Sequence, residues 1–361
     1  MAEWNLAADE RASLQGYLAE ELPTGEPIRI DAVPDQQRKL RLSTDGRSFI
    51  LQGARARPTP ITRTIADEYA ILSVLAGSPV PIPAPVTYCS DDSIVGVPFY
   101  VMEYVPGDVI PAGHDLPARF GTPRWRARLC ARLVETMADL HCVDPSGCGL
   151  DPQSLGVRLS AYETMLDDAT SVTGRALPDV RRTVDWLRAR RPSRQPAPCL
   201  VHGDLLPHNV VFTAATDPTV AGLIDWEFAA YTNPLTDLGF LLSSWYEADE
   251  AIPIADLEAE YHDHPHVDAL VRHRDRGMWP FTRADGSWSR RHLVDAYAER
   301  TGGEIDDAQY YRVFGAFMAA VLWETWHRRR LEGGEPASQW EVIVRYQERV
   351  CRELIDGNLP L

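Results

Sequence analysis

Apolar and polar positions follow two rhythms along this 361-residue chain, and the change comes near residue 105. In the first third the alternation has mostly a period of two, which suits strands with one buried face. Residues 28–30, 39–43 and 48–51 read as short strands, and Asp45-Gly46 between the last two marks a hairpin turn. Residues 10–22 form a short amphipathic helix ending before Pro23. ITRTIADEYAILSVLAG sets Ile61, Ile65, Tyr69, Leu72 and Leu75 on one helical face, with Gly77 as a stop. PVPIPAPV cannot be helical and runs extended. Residues 86–89 and 98–104 give two more strands before Pro106-Gly107 breaks the chain.

Beyond that break the period lengthens to that of helices. WRARLCARLVETMADLHCVD places Leu129, Leu133, Met137 and Leu140 at helical spacing. Further helices are predicted near 158–168, 179–190, 235–246, 290–300, 307–330 and 337–355, with one β-rich interruption from 200 to 226. A strand-rich lobe over residues 1–105, a Pro-Gly hinge and a helical lobe over 106–361 make an α+β chain with a cleft between its lobes.

Composition narrows the function. A net charge of −16 argues against nucleic acid or an anionic membrane surface as partner, since both need clustered Lys and Arg. No apolar run is long enough to span a bilayer, and the start MAEWNLAADERASLQ is too acidic for a signal peptide. The six scattered cysteines contain no CxxC pair and read as reduced thiols of a cytoplasmic protein.

The chemistry concentrates in LVHGDLLPHNVVF, where apolar clusters flank a polar loop holding His202, Asp204, His208 and Asn209. Downstream, a buried-strand pattern over 220–224 ends on Asp225 and Glu227 in TVAGLIDWEFAAYTNP. Asp and Asn commonly make turn and capping bonds, and either residue alone would be read that way. As an ordered set with Asp225 they match the demands of phosphoryl transfer. One carboxylate orients an acceptor hydroxyl and takes its proton, while hard oxygen ligands hold Mg²⁺ on the nucleotide phosphates. Protein kinases use this order and spacing.

HGDxxxxN followed by IDWE resembles the aminoglycoside phosphotransferase-like family, which includes choline kinases and other small-molecule kinases. ADEYAILSVLAG, GVPFYVMEYVPGDVI, ADLHCVDPSGCGL and NPLTDLGFLLSSW look like family segments in the expected order, so the resemblance covers about residues 30 to 330. It implies a protein-kinase-like fold, with a small β-rich, nucleotide-binding N-lobe, a larger helical C-lobe for catalysis and substrate, and ATP in the cleft. It further implies Asp204 as catalytic base and Asn209 and Asp225 as Mg²⁺ ligands. In the hinge, the Glu103 carbonyl and Val105 amide would pair with the base of ATP or another nucleoside triphosphate, and Met102 would line its pocket. His202 reads as a packed support, and Asp237 as a structural acid bracing the catalytic loop.

Two features depart from the family. Its phosphate-holding Lys or Arg on the third strand falls on Gln52 in SFILQGARAR, although Glu68 matches the acid that normally pairs with it. Arg55, Arg57, Arg38 or Lys39 could supply the charge, though such residues are commonly solvated. The phosphate-covering turn AVPDQQRKL lacks the glycine that lets backbone amides approach phosphate.

At the substrate end, the polar stretch WYEADEAIPIADLEAEYHDHPHVDALVRHRDRGMWPF reads as an insertion or lid. There Glu247, Asp249 and Glu250 could meet a cationic acceptor such as an aminated sugar, or form a solvated face. His262, Asp263, His264 and His266 have poor spacing for a closed metal site. Trp245, Trp279, Trp288, Trp323 and Trp326 either stack an acceptor or fill a core. The expectation is an ATP- and Mg²⁺-dependent O-phosphotransferase acting on a small-molecule hydroxyl, with antibiotic modification as one use. The altered clamp leaves two alternatives open: phosphorylation of Ser or Thr in a peptide, and a ligand-binding pseudokinase.

Overall fold

The five strands expected in the first third close into one antiparallel sheet. The computed structural model describes residues 4–22, 27–34, 36, 38–55, 57–214, 217–248, 250–335 and 337–361. Pro23, Asp249, and positions 35 and 37 of the AVPDQQRKL turn therefore lie outside the described residues. β1 (Arg29–Ala32), β2 (Lys39–Thr44), β3 (Arg47–Gly53), β4 (Pro85–Cys89) and β5 (Phe99–Glu103) take the order β1-β2-β3-β5-β4. The β2–β3 hairpin turns at Asp45 and Gly46, both at positive φ, as an Asp-Gly turn requires.

Pleating divides the sheet residues between two faces. α1 (Ala8–Glu21) brings Leu14 and Leu18 into one core with Leu42, Phe49, Leu51 and Val101 on the outer face. On the inner face, Tyr100 and Met102 belong to the large core that continues into the helical lobe. α2 (Ile65–Leu75) packs there too. Its N-terminus is fixed by a reciprocal capping box between Thr64 and Asp67.

The remainder is built from α3 (Pro123–His141), α4 (Leu155–Thr173) and α5 (Pro178–Ala189), then four short strands. β6 (Cys199–Val201) pairs with β9 (Ala230–Thr232), and β7 (Val210–Ala214) with β8 (Pro218–Leu223). The helices α6 (Leu235–Ser244), α7 (Ala255–Glu260), α8 (Val267–Arg276), α9 (Arg290–Thr301), α10 (Ala308–Glu332) and α11 (Gln339–Ile355) complete the chain. After β5 the backbone passes to the lower lobe through a two-way bridge: Asp108 N donates to the Phe212 carbonyl at 2.9 Å and Phe212 N to that of Asp108 at 2.8 Å.

α6 and α10 cross at closest approach where glycine meets glycine. A Cβ on Gly239 would stand 2.2 Å from the Tyr311 carbonyl oxygen, and one on Gly315 would stand 2.4 Å from that of Gly239. This approach packs α6, which begins beside the loop at 202–209, closely against α10.

The lid expected between 245 and 281 is instead part of the core. Trp245, Ile252, Ile254, Leu257, Leu270, Trp279 and Phe281 are all buried in it, and α7 and α8 supply the frame. The apolar residues are too widely spaced, between acids and histidines, to announce themselves as a periodic face. Among the described residues no helix is long and apolar enough to cross a membrane. The six cysteines form no disulfide.

Candidate functional site

The HGD loop is held by one buried carboxylate. Asp237, in the first turn of α6, is 1% exposed and accepts the backbone amides of His202 and Gly203, both at 2.8 Å. His141 Nε2 completes the set at 3.2 Å from Oδ2. Burial opposes the Asp237 carboxylate, but the bond from His141, with the His202 backbone amide, outweighs it and holds its pKa below the ordinary value. Gly203 cannot be replaced here: its φ is 80°, and a Cβ would lie 2.2 Å from the Phe228 carbonyl oxygen. The glycine of HGD is thus imposed by the return of the IDWE segment beneath it.

His202 serves as a packed support. It is fully buried against Trp226, and its Nε2 donates to the Ile224 carbonyl at 2.9 Å. That bond fixes Nδ1 as the acceptor for the Asp204 amide at 3.3 Å, so the ring is neutral. Burial lowers its pKa further, against the pull of Asp237 and Asp204.

Asp204 and Asn209 converge as their spacing implies. Asn209 Nδ2 donates to the Asp204 carbonyl at 3.0 Å and to Oδ2 at 2.9 Å. With both amide hydrogens engaged, Asn209 has its side-chain oxygen left for another partner. His208 Nε2 lies 3.3 Å from the same carboxylate oxygen, and the ring stacks on Trp279 with centroids 5.6 Å apart. Burial works against a charged His208, yet Asp204 prevails and raises its pKa. His208 was named in the sequence without a role; its place beside Asp204 came from the fold.

Asp225 sits at the end of β8 with φ 64° and ψ 68°, a left-handed conformation uncommon outside glycine and asparagine. Lys39 from β2 pairs with its carboxylate. Burial disfavours the charge, but Lys39, then Arg55 and His208, keep the Asp225 pKa below the ordinary value. Asn209 and Asp225 together offer hard oxygen donors, which fit Mg²⁺. That ion typically uses one or two protein carboxylates and takes its remaining ligands from phosphates and water. Among the described residues no group of three His, Cys, Asp or Glu could hold a metal, including around His262, Asp263, His264 and His266. His264 instead contacts Glu341 at 3.2 Å.

In the upper lobe the charge missing from β3 is found nearby. Gln52 is buried, and its Nε2 donates to the Gly53 carbonyl at 2.9 Å. Arg55, two residues past the strand, takes the pairing expected at position 52. Its guanidinium bridges Glu68 on α2 and Glu227 after β8, and Tyr100 Oη donates to Glu68 at 3.2 Å. Burial, helped by Asp225, Glu68 and Asp204, pushes Glu227 up to about 7 against the pull of Arg55. Arg55→Ala leaves two inward-facing acids without their cation and should cost about 3–5 kcal/mol of stability. Urea unfolding of the variant against the wild type measures this, with Arg55→Lys expected to fall between them.

Glu103 ends β5 and its side chain pairs outward with Arg47 at 3.0 Å, Met102 is buried in the core, and Val105 packs near Gly222 of β8. The acids expected to meet a cationic acceptor are otherwise engaged. Glu250, 6% exposed at its side chain, pairs with the buried Arg290 and accepts from Arg312 at 2.7 Å. Glu247 accepts the Arg290 amide at 2.8 Å.

Asp204 is among the residues lining a narrow cavity in the helical lobe. Phe240, His273, Leu322, Trp323 and Trp326 form much of its wall, and its surface is mainly apolar. Burial depresses His273 to about 4, so that wall is uncharged at neutral pH. Tryptophans that the sequence left between core and site therefore do both: Trp279 supports His208, and Trp323 and Trp326 line the cavity.

The model of the phosphotransferase enzyme family matches residues 30–275. Acyl-CoA dehydrogenase family member 11 of Rattus norvegicus is 30% identical over 254 residues, which is 67% of this chain and 32% of that protein. The chain thus spans about a quarter to a third of the length of the curated relatives of that name. Among solved structures, a Ralstonia eutropha protein assigned as an aminoglycoside phosphotransferase superposes with a TM-score of 0.74 at 21% identity, covering 96% of this chain and 98% of that one. The GDP complex of wild-type aminoglycoside 2'-phosphotransferase-IIIa gives 0.56 at 14% identity, covering 98% and 100%. At such identities the likeness concerns the fold, which is protein-kinase-like with two lobes. Family model, fold and the HGDxxxxN–IDWE order agree, and the chain belongs to the phosphotransferase enzyme family.

Proposed function

We propose that this chain transfers the terminal phosphoryl group of a nucleoside triphosphate, with Mg²⁺, to a hydroxyl of a small molecule whose body is neutral and largely apolar. The observation that carries this reading is the presence of Asp204 in the lining of an aromatic cavity, joined by Asn209 and with Asp225 in the same field of charge. The acceptor lies in the cavity with its hydroxyl toward Asp204, whose carboxylate orients the O–H and accepts its proton. Asn209 and His208 hold that carboxylate in place, so little reorganisation is needed at the moment of reaction. Asn209 and Asp225 would hold the ion, which when bound would supply positive charge beside the transferring group. Hinge atoms of Glu103 and Val105, beside Met102, hold the base, and Arg55 fixes Glu68 so that the upper lobe keeps its shape.

Aminated sugars call for exposed carboxylates, and Glu247 and Glu250 are engaged with arginine. A narrow cavity also favours a compact acceptor over a peptide. Structures of related folds in complex with GDP support the nucleotide half of the reading. The test is a nucleotide-consumption assay against apolar alcohols, aminoglycosides and Ser- or Thr-containing peptides. Turnover confined to aminoglycosides or peptides would overturn the acceptor class. Asp225→Ala is expected to weaken Mg-nucleotide binding at least tenfold, read by calorimetry with and without Mg²⁺. Unchanged affinity would remove Asp225 from the ion's ligands.

A further inference from the structure

We propose that Lys39 of β2 is the phosphate-holding cation of this chain, relocated by one strand from the family's position on β3. The inference rests on the nucleotide reading above and concerns a residue that reading leaves unassigned.

The register of the sheet carries it. Lys39 lies directly opposite Gln52, and Gln52 directly opposite Tyr100, so the three share a face. Tyr100 Oη reaches Glu68, which identifies that face as the one turned toward α2 and the cleft. A lysine at position 39 therefore projects from the same side of the sheet as one at position 52 would. Its ammonium group reaches across to the lower lobe and pairs with Asp225.

The neighbouring cations are committed elsewhere. Arg55 is fixed between Glu68 and Glu227. Arg57 pairs with Glu332 on α10, and Arg38 stacks over Trp4. Gln52 carries no charge and gives one amide hydrogen to the Gly53 carbonyl. Lys39 has a flexible stem and a compact charge. Its acid partner is the residue assigned to the metal, and their side chains are 15% and 29% exposed. Once Asp225 shares its charge with a divalent ion, Lys39 can turn to phosphate oxygens on the same side of the cleft. The Lys39–Asp225 pair thus keeps both charges satisfied and in position before nucleotide arrives.

The opposing possibility is that Lys39 merely plugs Asp225, and the two differ in sign. Calorimetry with MgADP and with adenosine on the full chain, for wild type, Lys39→Met and Lys39→Arg, separates them. A phosphate-holding lysine predicts that Lys39→Met loses tenfold or more in MgADP affinity while adenosine binds as before, and that Lys39→Arg stays within about threefold of wild type. A plug predicts that Lys39→Met binds MgADP as well as or better than wild type, which would overturn the proposal. Should Lys39→Met not fold, Lys39→Arg and Lys39→Gln carry the test, and equal MgADP affinity in those two overturns it as well. Wild type that binds neither MgADP nor adenosine would instead sink the nucleotide reading on which the proposal stands.

Discussion

Asp204→Asn should reduce turnover by roughly 10²–10⁴-fold, the usual range for loss of a positioned general base, while leaving Mg-nucleotide affinity within a few-fold of wild type. The amide is isosteric with the carboxylate, so Asn209 and His208 keep a neighbour and the loop keeps its shape. What disappears is basicity in the lining of the cavity. Asp204→Ala removes the partner of Asn209 Nδ2 and His208 Nε2 as well, and should be equally inactive but less well ordered. Comparison of kcat, nucleotide Kd and thermal midpoint for the two variants separates chemistry from architecture. Wild-type kcat in Asp204→Asn would remove Asp204 as the base.

Asp237→Ala is expected to cost about 3–5 kcal/mol of stability, as much as Arg55→Ala. It deletes a buried anion that satisfies two backbone amides and His141, and bonds of this charge-assisted type contribute about 1.5–3 kcal/mol each. Its pH dependence has a definite sign. The folded-state pKa of Asp237 is depressed, so the folded state loses its hold on this proton before the unfolded chain does as pH rises. The contribution is complete above the unfolded value of about 4 and fades as pH falls through the lower folded value. The stability difference between wild type and Asp237→Asn, from urea midpoints, should therefore be flat from about pH 5 to 8 and shrink below about pH 4. A difference that persists undiminished into acid would show that geometry, and not the charge, braces the loop.

Why the family assigned a braced loop to these residues is now visible in the local packing. The loop needs a neutral His202 to close onto Ile224, a Gly203 to pass under Phe228 and an acid at the start of α6 to gather the amides. Each requirement is set by a residue within a short motif, so it is legible in the sequence because the backbone geometry there tolerates few substitutes. Strand and helix positions were legible for a similar reason: periods of two and 3.6 are local properties of one element. The Asp45-Gly46 hairpin and the face of α2 that holds Ile65, Leu72 and Leu75 follow from that alone.

The chain order of Asp204, Asn209 and Asp225, the strand-then-helix plan and the absence of a base at position 52 were all written in the sequence. Which cations stand near that position was decided by the fold. Arg55 and Lys39 become neighbours of Glu68, Glu227 and Asp225 only through the sheet register and the return of β8, across separations of up to 186 residues. The same holds for Glu250, exposed on paper and sealed between Arg290 and Arg312 in the fold, and for the cavity that Asp204 lines with Trp323 and Trp326. Charge pairing and cavity shape depend on distance in space, and a chain's local pattern carries no record of which remote segment will fill that distance.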